Sequence, residues 1–107
     1  MEEEKQRRRH PRVKPPSGLV VAWQAGTKRA VSYFENLALG GVFILTRQPP
    51  PLRSTVKVLL DLPVGEVRAR ALVRRVAAKG MGIEFVSMTQ EDRARLARAL
   101  QPMLAAG

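Results

Sequence analysis

The chain has no cysteine and a single histidine, His10. Disulfides, thiolate metal sites and cysteine nucleophiles are thereby excluded, and a histidine triad or multi-histidine metal centre nearly so. Aromatic residues are scarce, with one Trp, one Tyr and three Phe, too few for an obvious base-stacking platform. No apolar run approaches the roughly 18 residues that a membrane span needs. The opening Glu2-Glu3-Glu4-Lys5 lacks the apolar stretch of a signal peptide, so a soluble cytoplasmic protein is expected. The carboxylates beyond the first 17 residues are Glu35, Asp61, Glu66, Glu84, Glu91 and Asp92, and no pair has a metal-ligand or acid–base spacing. The four serines have no nucleophile-elbow context, and there is no P-loop and no GxGxxG. These absences point to a binding protein, not an enzyme, with no metal site, catalytic residue or cofactor.

What remains is a strongly basic chain of 107 residues. At roughly 100–200 residues per domain, that length makes one domain. Nineteen basic residues against nine acidic ones give a net charge of +10. Such a balance favours an anionic partner: a nucleotide, a nucleic acid or an anionic membrane. Fourteen of the 19 basic residues are Arg, an excess that also accompanies GC-rich coding. Where the arginines sit therefore matters more than their number.

Residues 1–17 read as a flexible Arg-rich arm, with prolines at 11, 15 and 16 that forbid a helix past Pro11 and leave room only for a short helical turn before it. Residues 18–107 read as a barrel with a C-terminal helix. Strands are expected at 19–23, 29–34, 42–46, 55–62, 66–77 and 81–87. They are short β-branched runs bounded by Gly or Pro turns. Residues 35–41 read as a loop ending in two glycines, which permit positive φ or close approach by another group. In 66–77, Val67, Ala69, Ala71 and Val73 alternate with Arg68, Arg70, Leu72 and Arg74, and the phase slips at Arg74-Arg75-Val76, as a bulge would make it. The last segment has helical period. Thr89 to Asp92 resembles a capping box, Leu96, Leu100, Met103 and Leu104 share one face, and Pro102 is expected to end or kink the helix near Gln101. Six strands and one amphipathic helix predict an all-β fold, a six-stranded antiparallel barrel carrying the helix.

Two segments carry chemistry. Arg7-Arg8-Arg9-His10-Pro11-Arg12 clusters guanidinium groups, which can fork onto phosphate, stack on a base, or bond guanine O6 and N7 together. Asn36-Leu37-Ala38-Leu39-Gly40-Gly41 sets an amide beside a glycine pair that allows close approach. Taken singly, each is also an ordinary basic tail and an ordinary strand-entry turn.

In this order and spacing the two segments resemble the signature of the PilZ domain family, bacterial receptors for cyclic di-GMP. Arg8 to Arg12 matches RxxxR, and Asn36 to Gly41 matches [D/N]xSxxG with Ala38 in place of the serine. Gly41-Val42-Phe43-Ile44, the pair of segments Ala71 to Val76 and Gly80 to Phe85, and the closing segment 91–100 also resemble the family's pattern. The resemblance implies a ligand-binding set of Arg7, Arg8, Arg9, Arg12, Asn36, Ala38, Gly40 and Gly41. Arg8 and Arg12 would meet guanine edges and phosphates, Asn36 would meet a guanine from the barrel side, and Gly41 would let the ligand close in. It also implies that an arginine just before RxxxR, here Arg7, goes with a stacked pair of ligands. The departures weaken binding without abolishing it. Asn36 offers one carbonyl where a carboxylate would accept two bonds. Ala38 lacks a hydroxyl worth about 1 kcal/mol, a few-fold in affinity.

Besides a nucleotide receptor, two readings stand: a PilZ-like scaffold that binds no nucleotide and acts through a protein partner, and, weakest, a nucleic-acid binder using Arg68, Arg70 and Arg74. No output domain is legible, so any effect is expected to pass through a protein partner or through a ligand-dependent surface. Trp23 is expected in the core, away from the ligand.

Overall fold

A computed structural model describes residues 18–106. The expected arm at 1–17, with Arg7, Arg8, Arg9 and Arg12, lies outside the described residues. The strands are β1 (Val20–Ala25), β2 (Lys28–Ala38), β3 (Gly41–Leu45), β4 (Thr55–Leu62), β5 (Gly65–Ala77) and β6 (Gly80–Ser87), followed by helix α1 (Gln90–Ala106). All neighbours pair antiparallel, and the ring closes in the order β1-β2-β3-β6-β5-β4. The β4–β1 pair therefore lies across the barrel from the β3–β6 pair, with β2 and β5 between them on either side.

Alternation along the strands fills the barrel. Val56, Val58, Leu60 and Leu62 of β4 and Val67, Ala69, Ala71 and Val73 of β5 point in and are buried, while Lys57, Asp61, Arg68 and Arg70 are exposed. Trp23 is 2% exposed and joins this core. Its Nε1 donates to Ser32 Oγ at 3.0 Å, which satisfies the one polar atom it brings inside. On β5 the register steps from Val73 opposite Ile83 to Arg75 opposite Gly82, so Arg74 is the extra residue of the expected bulge.

Helix α1 starts at a true cap. The Asp92 N–H donates to Thr89 Oγ1 at 3.0 Å, and the Thr89 hydroxyl donates back to Asp92 Oδ2 at 2.9 Å. Leu96, Ala99 and Leu100 are buried in the core and Met103 packs partly against it, but Leu104 is 43% exposed. Ala99, not Leu104, completes the buried face. The helix also runs through Pro102 to Ala106. Proline there keeps a helical φ and forfeits one intrahelical hydrogen bond, the one an N–H at 102 would give to the Arg98 carbonyl.

Candidate functional site at the β2–β3 hairpin

Residues 35–41 are not the expected loop. Strand β2 continues to Ala38, and only Leu39 and Gly40 form the turn. What disguises the strand is a bulge. Glu35 stands opposite Phe43 and Ala38 opposite Gly41, so Asn36 and Leu37 together face the single residue Val42. Asn36 takes the left-handed conformation, φ 55°, which Asn tolerates better than most residues with a side chain. The extra residue breaks the alternation. Leu37 and Ala38 are both buried, and Asn36 is exposed. A backbone reason for Asn36 thus stands beside the chemical one. Its tolerance of positive φ was the available sequence signal.

The glycines have different duties from those expected. Neither Gly40 nor Gly41 has positive φ. A Cβ at Gly41 would overlap the Ile83 carbonyl oxygen of β6, so the chain's own backbone takes up the close approach there. Gly40 offers its carbonyl to the Phe85 N–H at 2.9 Å, which ties the turn to β6. The rim that carries Asn36 is thereby clamped from one side.

Three cations gather next to this hairpin that sequence reasoning did not single out as site residues. Val42 and Ile44 point into the core, so Phe43 faces the other way. It is nevertheless buried, covered by the Arg75 guanidinium at 5.4 Å and the Lys79 ammonium at 5.7 Å from the ring centroid. Lys79 also pairs with Glu35 at 2.8 Å, and Arg74 pairs with Glu84, the partner of Gly41, at 2.7 Å. The ion pair to β6 separates Arg74 from Arg68 and Arg70, with which its spacing had grouped it. Only the barrel's closure brings 74–84 beside 35–43.

The register also shows where the N-terminal segment joins. Strand β1 begins with Val20 opposite Tyr33 and runs antiparallel to β2. Asn36 lies three residues beyond Tyr33, at the same end of the barrel, and the chain turns at Gly18, φ 93°, just before β1. Asn36, Ala38, Gly40 and Gly41 thus share one hairpin, and the described chain enters the barrel at its level. The position of the four arginines relative to it lies outside the described residues.

A family model described as PilZ domain matches residues 6–101. Among solved structures, the chain is similar to the Bacillus subtilis inhibitor of motility MotI/DgrA, at 20% identity and TM-score 0.78, over 94% of this chain and 53% of that one. It is similar to the PilZ domain with c-di-GMP of YcgR from Escherichia coli, at 15% identity and TM-score 0.75, over 94% of both chains. It also resembles the K. pneumonia MrkH–c-di-GMP complex, at 16% identity and TM-score 0.73, over 94% of this chain and 52% of that one. The chain spans about half the length of MotI/DgrA and MrkH. No curated protein matches it in sequence.

Proposed function

The chain belongs to the PilZ domain family, and from that premise we propose that it is a cytoplasmic receptor and adaptor for cyclic di-GMP that catalyses no reaction. One observation carries the reading. Strand β1 begins at the end of the barrel where Asn36 stands, with Val20 opposite Tyr33 and Asn36 about 10 Å farther along β2. An arm bearing Arg8 and Arg12 is therefore anchored at the end of the barrel where the exposed amide stands.

The chemistry follows from the ligand's two phosphates and two guanines. Arg8 and Arg12 fork onto phosphate oxygens or guanine O6 and N7, and stack on the bases. Arg7 and Arg9 add charge beside them. Asn36 meets a guanine edge from the barrel, and the side-chain-free turn at Gly40 lets the nucleotide lie close. Ala38 removes a hydroxyl at the cost of a few-fold in affinity. Held between arm and barrel, the ligand changes the surface that a protein partner meets.

Ala38 also favours a second reading, a scaffold that has given up the nucleotide and works through a partner alone. Calorimetry with cyclic di-GMP and with mixed-sequence DNA, each at two salt concentrations, separates the readings. The receptor gives saturable heat with the nucleotide. Arg8→Ala or Arg12→Ala removes most of it, because each charge-assisted contact is worth about 1.5–3 kcal/mol. No heat from the nucleotide leaves the scaffold. Heat from DNA alone, falling steeply with salt, leaves a nucleic-acid binder.

A further inference from the structure

Across the barrel from β3–β6 lies a face that the nucleotide reading does not use. Its outward residues form two rows in register over four strands. Arg70 of β5 stands opposite Lys57 of β4, Lys57 opposite Gln24 of β1, and Gln24 opposite Arg29 of β2. One step along the strands, Leu59, Ala22 and Val31 form an apolar row that ends on Arg68. Both rows line a cleft of about 1120 Å³, bordered by Ser87, Met88, Thr89 and Asp92 where β6 passes into α1.

Two features of this cleft work against the isolated chain. Like charges directly opposite on a sheet are destabilising, yet Arg70 faces Lys57. Among the described residues neither of them, nor Arg29, has a carboxylate within 4.0 Å. Beside them Val31 is 69% exposed. An occupant that supplies acids to one row and apolar groups to the next relieves both.

We infer that this face is a docking groove for an acidic amphipathic helix of a partner protein. The spacings match. Strands lie about 4.8 Å apart, so Arg70 and Lys57 are one step apart and Lys57 and Arg29 two steps, about 9.6 Å. Acids one and then two turns apart on a helix are separated by about 5.4 and 10.8 Å. The apolar row lies about 7 Å away along the strands, within the 10–12 Å width of one helix. A nucleic-acid backbone fits less well. The next row beyond the apolar one pairs Asp61 with Glu66, and Asp92 stands in the wall. One outward aromatic, Tyr33, stands in that next row, too few for a base-stacking platform. The inference goes beyond the nucleotide reading and does not depend on it.

The test uses the full chain without nucleotide. The probe is a synthetic helix of about four turns, with Glu along one flank and Leu along the adjacent one. Titration followed by amide NMR is expected to move Ala22, Val31 and Leu59. Replacing the peptide's Glu by Gln, or introducing Lys57→Glu or Arg29→Glu, is expected to weaken binding about tenfold, or 1.4 kcal/mol. Both residues are exposed, so neither variant should lower the melting temperature, and Lys57→Glu, which sets a carboxylate opposite Arg70, should raise it slightly; two variants guard against one misfolding. Shifts confined to other faces, equal affinity for the Gln peptide, or displacement of the peptide by an equal concentration of duplex DNA would each overturn the proposal.

Discussion

Gly41→Ala separates a glycine kept for the fold from one kept for a ligand. The added methyl carbon would overlap the Ile83 carbonyl oxygen, with Ile83 C at 3.2 Å and Glu84 Cα at 3.4 Å behind it. All three atoms are backbone of β6, held in the ladder that pairs Gly41 with Glu84. No rotamer change can relieve the contact, so β3 and β6 must part locally. Overpacking costs about 1–3 kcal/mol and sometimes more, and this site belongs at the upper end because only backbone can yield. At about 4–8 °C per kcal/mol for a domain of this size, a cost near 3 kcal/mol lowers the melting temperature by about 12–24 °C. Two companions calibrate the measurement. A Cβ at Gly80 would overlap the Ile44 carbonyl oxygen and come within 2.9 Å of Phe43 Cε1, so Gly80→Ala should cost as much. A Cβ at Gly82 would meet Arg75 Cβ at 3.6 Å and Phe43 Cδ2 at 3.9 Å, ordinary contacts, so Gly82→Ala should change stability by less than about 1 kcal/mol. Thermal unfolding followed by near-ultraviolet circular dichroism of Trp23 reads all three. If Gly41→Ala melts with the unmodified protein while losing nucleotide binding, the glycine serves the ligand and the reasoning from β6 is wrong.

Four further outcomes are expected. Arg7, Arg8, Arg9 and Arg12 can offset the roughly four charges of two stacked nucleotides, so calorimetry should give two ligands per chain, and Arg7→Leu should shift the ratio toward one. A ratio of one that Arg7→Leu leaves unchanged would refute this. Ala38→Ser restores the family's hydroxyl and should tighten cyclic di-GMP binding a few-fold; a loss of affinity would mean that the buried site opposite Gly41 cannot present it. Trp23 is buried and bonded to Ser32, so the nucleotide should not quench its fluorescence directly. Ser32→Ala should cost about 1–3 kcal/mol through the unpaired indole N–H, and strong quenching without barrel shifts in NMR spectra would place the ring at the ligand instead.

Sequence by itself determined the strand count, the cap at Thr89, the bulge at Arg74 and the membership of Trp23 in the core. Each is a local property: a period of two, a turn residue, a side chain three positions from a backbone N–H, or a large apolar ring. The RxxxR and NxAxxG signature was equally legible, because it is written in short contiguous stretches. Tertiary structure decided what local patterns could not. Asn36 and Leu37 form a bulge whose broken alternation reads as a loop until the pairing with β3 is known. Gly41 is small because β6, more than 40 residues later in the chain, passes against it. Phe43 is an outward residue that Arg75 and Lys79 bury from a neighbouring hairpin. Leu104 was misjudged because helical spacing defines a face but not where the core beneath it ends. The basic and apolar rows across β5, β4, β1 and β2 exist only in register. Members of one row are up to 46 residues apart in the chain, from Gln24 to Arg70, and only closure of the barrel lines them up.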